Sequence, residues 1–242
     1  MPHHMIRASN LSVAYNGGAV LAVNQLTLDV PSGQVLGLLG GNGAGKTSTM
    51  KTFGGVFPPS SGSLSIAGHD MTTRNGAENA RRLTGYCPDT GGLIRGATVR
   101  EHIAVALQLR NATGHWERAL ELVEAFDLTH VLDREAGGFS HGMSRRLSVL
   151  LAAIAASKAL ILDEPFDGVD PRGVEATEHV IRAAADAGLS VIVSTHLLSL
   201  LVQVSDRICV MNYGQLAADE NADAFLGDSG AQRYADILRA TS

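Results

Sequence analysis

The stretch VLGLLGGNGAGKT, residues 35–47, joins a short apolar run to a glycine-rich loop. The run, residues 35–39, is nearly continuous, which is typical of a parallel strand buried on both faces. The loop, residues 40–47, fits the pattern G-x-x-x-x-G-K-[ST], whose glycines let successive backbone N–H groups turn inward around phosphates. The sequence therefore predicts a strand, a phosphate-binding loop and a helix in direct succession.

The loop also predicts how phosphates and a metal ion are held. Lys46 supplies a mobile ammonium for the outer two phosphates, and the Thr47 hydroxyl can ligate Mg²⁺. The alternative is a glycine-rich turn with an exposed lysine, which the neighbouring strand and helix patterns disfavour. The predicted nucleotide-binding residues of this segment are Gly40, Gly41, Asn42, Gly43, Ala44, Gly45, Lys46, Thr47 and Ser48.

Similar apolar runs recur later in the chain, separated by helical stretches. They lie at residues 160–162, 191–193 and 208–211. This alternation predicts an α/β fold with a mostly parallel sheet. Residues 6–13 and 21–30 instead alternate apolar and polar side chains around an Asn-Gly-Gly turn, which predicts an antiparallel β-subdomain near the N-terminus.

Between these blocks the sequence predicts a helical insert. Thr98 and Glu101 form a capping-box pattern ahead of the apolar residues 103–109, and a second helical pattern covers residues 116–126. We expect one domain with a nucleotide-binding core at 1–88 and 158–242 and a helical subdomain at 89–157. The last segment, 214–242, has the pattern of a short hairpin strand and two small helices.

Net charge argues against one class of partner. The formal net charge of −5 lacks the basic excess that is typical of nucleic-acid-binding proteins, so no nucleic-acid partner is predicted. The pairs Arg81-Arg82 and Arg145-Arg146 are too short to form a phosphate-binding patch, and we interpret them as solvated helix faces.

Cysteine content and hydropathy set two further limits. Cys87 and Cys209 are too few for a disulfide framework and are interpreted as buried thiols in a reducing compartment. The most apolar stretch, residues 147–162, falls short of the roughly 20 residues that a membrane span requires. Any membrane-embedded part of the function is therefore expected to come from another polypeptide.

Two adjacent acids end the apolar run in ALILDEP, residues 159–165. Side chains alternate along a strand, so Asp163 and Glu164 are expected to point in different directions and to take different roles. We assign Asp163 to the metal side and Glu164 to the general base. Strand-end acids are often only polar loop residues, but the nearby phosphate loop favours a catalytic role here.

His196 follows another buried apolar run and can hydrogen-bond a terminal phosphate. A histidine in such a position is, by itself, more often a helix cap.

The stretch GGFSHGMSRRLSVLL, residues 137–151, predicts a helix that begins after Ser140, whose hydroxyl can cap the first turn. Gly142 is unexpected there, because glycine inside a helix costs about 0.5–1 kcal/mol relative to alanine. We interpret it as a place where another group approaches the backbone, and an anion is the candidate.

In this order the motifs resemble the ATP-binding cassette (ABC) ATPases, the energy-supplying subunits of ABC transporters, over nearly the whole chain. The residues that match the family's motifs are Tyr15 for adenine stacking, residues 40–47 for the Walker A loop with Lys46, Asp163 and Glu164 for Walker B, Asp170 for the D-loop, His196 for the switch histidine, and Ser140, His141, Gly142 and Met143 for the signature.

This resemblance implies a function and a set of partners. It implies an ATPase that uses ATP and Mg²⁺, and a homodimer in which the signature of one copy meets the nucleotide held by the other, head to tail. It also implies an integral membrane permease on a separate chain, which places this subunit in the cytoplasm at the inner face of the cell membrane. The basic residues after Gly142-Met143 are similar to those of the drug and polysaccharide exporter branch.

Two positions depart from the family pattern. His141 replaces the usual first glycine of the signature, where we expect little effect. Asp89 occupies the position of a glutamine that contacts Mg²⁺ and the attacking water, and we assign it to the metal site with Thr47 and Asp163. Because aspartate is shorter than glutamine and carries charge, we expect turnover or coupling to the permease to differ from that of family members with glutamine at this position.

Two other functions remain open from the sequence: an ABC ATPase that serves an assembly complex without a permease, and a module that binds ATP but hydrolyses it weakly, which Asp89 suggests. Kinases and GTPases are disfavoured, because neither class explains residues 140–143 and no guanine-reading segment is present.

Overall fold

The strand at the start of the phosphate loop lies inside a mostly parallel sheet. The computed structural model of the chain describes residues 4–90, 92–110 and 113–241. Its strands are β1 (His4–Tyr15), β2 (Val20–Pro31), β3 (Val35–Leu39), β4 (Ser61–Ile66), β5 (His69–Asp70), β6 (Thr84–Cys87), β7 (Ala159–Asp163), β8 (Ser190–Thr195), β9 (Arg207–Asn212) and β10 (Gln215–Asn221). Its α-helices are α1 (Lys46–Phe53), α2 (Arg74–Leu83), α3 (Val99–Leu109), α4 (Trp116–Ala125), α5 (His141–Ala155), α6 (Pro171–Asp186), α7 (Leu198–Val204) and α8 (Gly227–Ala240).

The central sheet has the strand order β10-β9-β3-β8-β7-β6. Strands β9, β3, β8, β7 and β6 pair in parallel, and β10 returns antiparallel to β9. Every residue of β3, β7 and β8 is buried, which the continuous apolar runs predicted. Because the strands are parallel, the segments after β3, β7 and β8 all leave the same edge of the sheet, where ligands bind in open α/β folds.

A smaller antiparallel sheet, ordered β2-β1-β4-β5, covers one face of this core. Its β1–β2 hairpin turns through a 3₁₀ segment at Asn16–Gly18, as the alternating pattern and the Asn-Gly-Gly turn predicted. Its apolar side chains pack with those of α1 in one hydrophobic cluster. The predicted α/β class with an antiparallel β-subdomain is confirmed.

Helices α3, α4 and α5 follow β6 and pack on the face of the central sheet opposite to the antiparallel sheet. The capping box at α3 is formed, because the Glu101 N–H donates to Thr98 Oγ1 at 3.2 Å and the Thr98 N–H donates to Glu101 Oε2 at 2.7 Å. The Ser140 hydroxyl accepts from the Met143 N–H at 3.2 Å and caps α5. The three helices predicted in this stretch are therefore confirmed.

The C-terminal segment has the predicted order of one hairpin strand and two small helices. These are β10, a 3₁₀ helix at Ala222–Phe225 and α8. The Asn221 side chain accepts from the Asp223 N–H at 3.0 Å and caps the 3₁₀ helix. Across the described ranges, no helix is long and apolar enough to cross a membrane.

Candidate nucleotide-binding site

The glycine-rich loop wraps the space between the end of β3 and the start of α1. Gly43 and Gly45 have φ values of 80° and 98°, in the left-handed region that favours glycine. A Cβ added at Gly45 would lie 2.5 Å from the Ala22 carbonyl oxygen, so glycine is required there. The loop therefore opens directly into the first turn of α1, whose free N–H groups form an anion site.

Lys46 is nearly buried at the centre of this loop, with 7% of its side chain exposed. Its ammonium donates to the Gly40 carbonyl oxygen at 2.6 Å and lies 3.6 Å from Glu164 Oε1. The lysine thus brings a positive charge to the edge of the sheet where the loop and the β7 acids meet.

Asp163 ends β7 and is fully buried. One carboxylate oxygen accepts from Ser194 Oγ at 2.5 Å, while Oδ2 has no hydrogen-bond partner in the described part of the chain. Burial raises the pKa of Asp163, and the charges of Asp89 and Glu164 add to the shift, which the hydrogen bond from Ser194 and the nearby Thr47 hydroxyl oppose. An unsatisfied buried carboxylate oxygen beside the Thr47 hydroxyl fits Mg²⁺, which takes oxygen ligands.

Glu164 leaves the strand in another direction, as alternation predicted. Its φ of 48° is unusual for a residue with a side chain, and its N–H donates to the Ser194 carbonyl oxygen at 3.1 Å. Its carboxylate is 18% exposed and lies 3.1 Å from His196 Nδ1. The structure thus brings Lys46, Glu164 and His196 together at the carboxyl ends of β3, β7 and β8.

Asp89 lies after β6 at the same edge. Its carboxylate is 3.7 Å from Lys51 Nζ and accepts from the Thr90 N–H at 2.9 Å. Its charge contributes to the raised pKa of Asp163, so the two carboxylates lie close enough to interact. The ion pair with Lys51 partly offsets the negative charge of Asp89.

Tyr15 lies beside the first turn of α1. Its hydroxyl is 3.1 Å from Ser48 Oγ, and its ring meets Phe57 edge-on with 5.6 Å between the ring centroids. The side chain is 37% exposed, so it presents an accessible aromatic surface next to the loop.

Arg145 and Arg146 correct the sequence analysis, which placed them on a solvated helix face. Both are buried in the first turns of α5. Arg145 Nη1 donates to the Pro88 carbonyl oxygen at 2.6 Å and to the Asp163 carbonyl oxygen at 3.3 Å. Arg146 Nη1 donates to the Phe126 carbonyl oxygen at 3.2 Å. Arg81 and Arg82, by contrast, are exposed, as expected.

One residue that joins the site, Arg145, was therefore not predicted from the sequence. Arg145 ties the Asp89 segment to the end of β7 through backbone carbonyls, which orients two predicted metal-side residues together. The signal was the mostly apolar stretch that starts directly after Arg146 and is broken only by Ser148 over residues 147–156, since it indicates that this turn of α5 faces the core.

Gly142 also has a different explanation from the one predicted. A Cβ at this position would lie 2.5 Å from the Gly168 carbonyl oxygen of the same chain. The group that approaches the backbone is therefore the loop after β7, and the proposed anion is not needed to explain the glycine.

His141 takes part in the same contact. Its Nε2 lies 2.9 Å from Asp167 Oδ2, and a Cβ added at Gly168 would lie 2.4 Å from its ring. Asp170, the predicted D-loop residue, accepts from the Gly173 N–H at 2.9 Å and caps α6. The signature segment and the D-loop segment are thus packed into one unit.

This contact makes His141 testable. We expect His141→Ala to lower steady-state phosphate release by about two- to fivefold, because the bond to Asp167 orients the first turn of α5 and exposed pairs contribute about 0.5–1 kcal/mol. The measurement is a double-mutant cycle with Asp167→Ala and the double variant. Losses that simply add would show that the pair does not act together.

The signature does not meet the phosphate loop of its own chain. Within the ranges that the structure describes, no hydrogen bond or ion pair joins residues 140–143 to residues 40–48. Residues 140–143 therefore form a region of the chain separate from the loop-centred site.

Comparisons with known proteins agree with this geometry. The family model described as ABC transporter matches residues 23–167. The lipopolysaccharide export system ATP-binding protein LptB of Escherichia coli (strain K12) is 34% identical over 231 residues, covering 94% of this chain and 95% of that protein. The daunorubicin/doxorubicin resistance ATP-binding protein DrrA of Streptomyces peucetius is 34% identical over 222 residues, covering 90% of this chain and 66% of that protein.

Solved structures share the fold. The ATP-binding subunit of an ABC transporter superposes with a TM-score of 0.88 at 28% identity, covering 96% of this chain and 99% of that one. The dimeric ABC transporter cassette MJ0796 superposes with a TM-score of 0.82 at 20% identity, covering 90% and 99%, and so supports the fold alone. The motifs, the site and these relatives together show that the chain belongs to the ABC transporter family, as an ATPase subunit that powers transport.

Proposed function

We propose that two copies of this chain close head to tail on ATP and that this closure drives a membrane permease. The observation that carries the proposal is that residues 140–143 make no hydrogen bond or ion pair with the phosphate loop of their own chain in the described ranges. Lys46, Glu164 and His196 meet at one edge of the sheet. A second copy that presents its Ser140 to the bound nucleotide would complete each site, and a two-fold pair gives two equivalent sites.

In this proposal the loop residues 40–48 hold the phosphates and Tyr15 stacks on adenine. Thr47 and Asp163 would hold Mg²⁺, with Asp89 on its outer side. When bound there, Mg²⁺ neutralises charge on the phosphates. The core at 1–88 and 158–242 carries this chemistry, and the helical subdomain at 89–157 carries the signature.

Hydrolysis requires a base beside the terminal phosphate. Glu164 accepts a proton from the attacking water, whose oxygen bonds to the terminal phosphorus as the bond to the ADP oxygen breaks. His196, 3.1 Å from Glu164, orients that carboxylate and donates a hydrogen bond to the phosphate. Lys46 stabilises the negative charge that develops there. The partner's Ser140 hydroxyl and Gly142 N–H cap the phosphate on its open side.

An exporter is the transporter class that we propose. The relatives LptB and DrrA are named for lipopolysaccharide export and for drug resistance. The His141-Gly142-Met143 segment with its following basic residues resembles the same branch. The subunit would then work at the inner face of the cell membrane, bound to a permease on a separate chain.

Dimer formation is testable by sedimentation. We expect Glu164→Gln with saturating Mg·ATP to sediment as a dimer of the 25.3 kDa chain, because ATP binds but is not hydrolysed. Adding Ser140→Ala should weaken the dimer by about tenfold, through the loss of a hydrogen bond to charged phosphate. The nucleotide-free protein is the control. A monomer at saturating Mg·ATP, both alone and with its membrane partner, would contradict the proposal.

The membrane partner is tested separately by purification from native membranes. We expect an integral membrane protein to accompany the tagged chain after detergent extraction. Recovery without any membrane protein would instead support the assembly-complex alternative.

A further inference from the structure

A second cavity lies at the other end of the sheet from the nucleotide site. It has a volume of about 770 Å³, and its floor includes Leu83, Leu160 and Leu189. These residues lie at the amino-terminal ends of β6, β7 and β8, whereas Glu164 and His196 follow the carboxyl ends of β7 and β8. The cavity is therefore separate from the ATP site, and its volume suits a small organic ligand.

Short side chains create this cavity. The alanines that line it come from α4, from the end of α5 and from the end of α6: Ala119, Ala125, Ala153, Ala155, Ala156, Ala183, Ala184 and Ala187. Packed helices with longer side chains at these positions would interdigitate and fill the space. Leu107, Leu122 and Val180 complete an apolar interior.

The lining of the cavity carries more cationic than acidic side chains. Among the described residues that line it are Arg82, Arg110, Arg118, His115 and His179, against Glu121 as the acid. Arg82 is 3.0 Å from Glu78 and is therefore neutralised. Neither Arg110 nor Arg118 has a carboxylate within ion-pair distance in the described ranges.

Arg110 is the more informative of these cations. It is partly buried, and its guanidinium donates to the carbonyl oxygens of Thr84, at 2.6 Å, and Arg82. Burial lowers its pKa, and no neighbouring acid opposes the shift. A cation partly removed from water and without a counter-charge attracts an anion, and more strongly than one at the open surface.

We propose that this cavity binds a small amphiphilic carboxylate, with its apolar chain between α4, α5 and α6 and its carboxylate near Arg110 and Arg118. The alanine-lined interior supplies the apolar contact, and the unpaired guanidiniums supply recognition of the carboxylate. The volume is sufficient for a molecule of the size class of a medium-chain fatty acid. The ligand contacts α4 and α5 on one side and α6 on the other. Its binding does not depend on ATP.

The chain contains its own reporter for this proposal. Trp116 is its single tryptophan and is next to His115, which lines the cavity. We expect decanoate, titrated below micelle formation into the full-length protein, to produce a saturable change in tryptophan fluorescence. Decanol and decyltrimethylammonium should bind at least about tenfold more weakly, because neither carries a carboxylate. Absence of saturable binding, or equal binding of decanol, would overturn the proposal.

Two variants locate the site. Arg118→Gln removes an unpaired cation, and Ala183→Leu fills the cavity from an exposed position on α6. Both should weaken decanoate binding by about tenfold or more, while Arg172→Gln, an exposed charge on α6 away from the cavity, should not. Circular dichroism checks the fold. Unchanged binding in both variants would overturn the proposal. A second contrary result would be that decanoate does not bind and that the Ala183→Cys variant crosslinks to a membrane protein. This result would show that the cavity is a protein-docking site.

Discussion

Replacing Glu164 with glutamine is expected to lower steady-state phosphate release by about 10²-fold or more, because the amide cannot accept the proton of the attacking water. The surroundings of Glu164 support this magnitude. The carboxylate sits 3.6 Å from Lys46 Nζ and 3.1 Å from His196 Nδ1 at the end of a fully buried strand. Glutamine has the same size, so ATP affinity should change little.

The measurement pairs phosphate release with ATP binding on the same preparations. Glu175→Gln, an exposed carboxylate on α6, is the matched control and should retain the wild-type rate. A Glu164→Gln variant that binds ATP and hydrolyses it at the wild-type rate would show that the base is another group. A wild-type rate as low as the variant's would favour the weakly hydrolysing module.

Replacing Gly142 with alanine is expected to reduce phosphate release by about tenfold or more, although one methyl group is added far from the phosphate loop. That methyl would lie 2.5 Å from the Gly168 carbonyl oxygen, and backbone cannot move aside as a flexible side chain can. Overpacking of this kind costs about 1–3 kcal/mol. The start of α5 should therefore shift against the D-loop, and the signature would be misplaced for a partner.

The control for this variant is Gly96→Ala, since a Cβ at Gly96 would have no heavy atom within 4 Å. Urea unfolding measures the free energy of unfolding of each variant, and phosphate release measures activity. We expect only Gly142→Ala to lose activity. Wild-type activity in that variant would show that the contact with Gly168 does not position the signature.

Much of the fold was predictable because its signals are local. The buried run at residues 35–39 and the glycines that follow specify a strand and a loop whatever surrounds them. Thr98 and Ser140 likewise cap their helices with N–H groups only three residues away.

The site was predictable in its chemistry but not in its contacts. The sequence placed Lys46, Asp163, Glu164 and His196 at strand ends, and parallel pairing then brings those ends to one edge. It did not indicate that Arg145 donates hydrogen bonds to backbone carbonyls of both the Asp89 segment and the end of β7. An arginine pair in the sequence does not show whether its side chains are exposed or buried.

By itself the sequence determined the phosphate loop, the two acids after β7 and the order of the elements, since each follows from side chains close along the chain. Only the tertiary structure showed that the Gly142 backbone packs against Gly168 and that His141 is paired with Asp167. It also showed that alanines from helices distant in sequence leave a cavity between them. The physical reason is that these contacts join residues separated by about 20 or more positions along the chain. Hydrophobic periodicity predicts which face of a helix or strand is buried, but not which residues of other elements pack against that face.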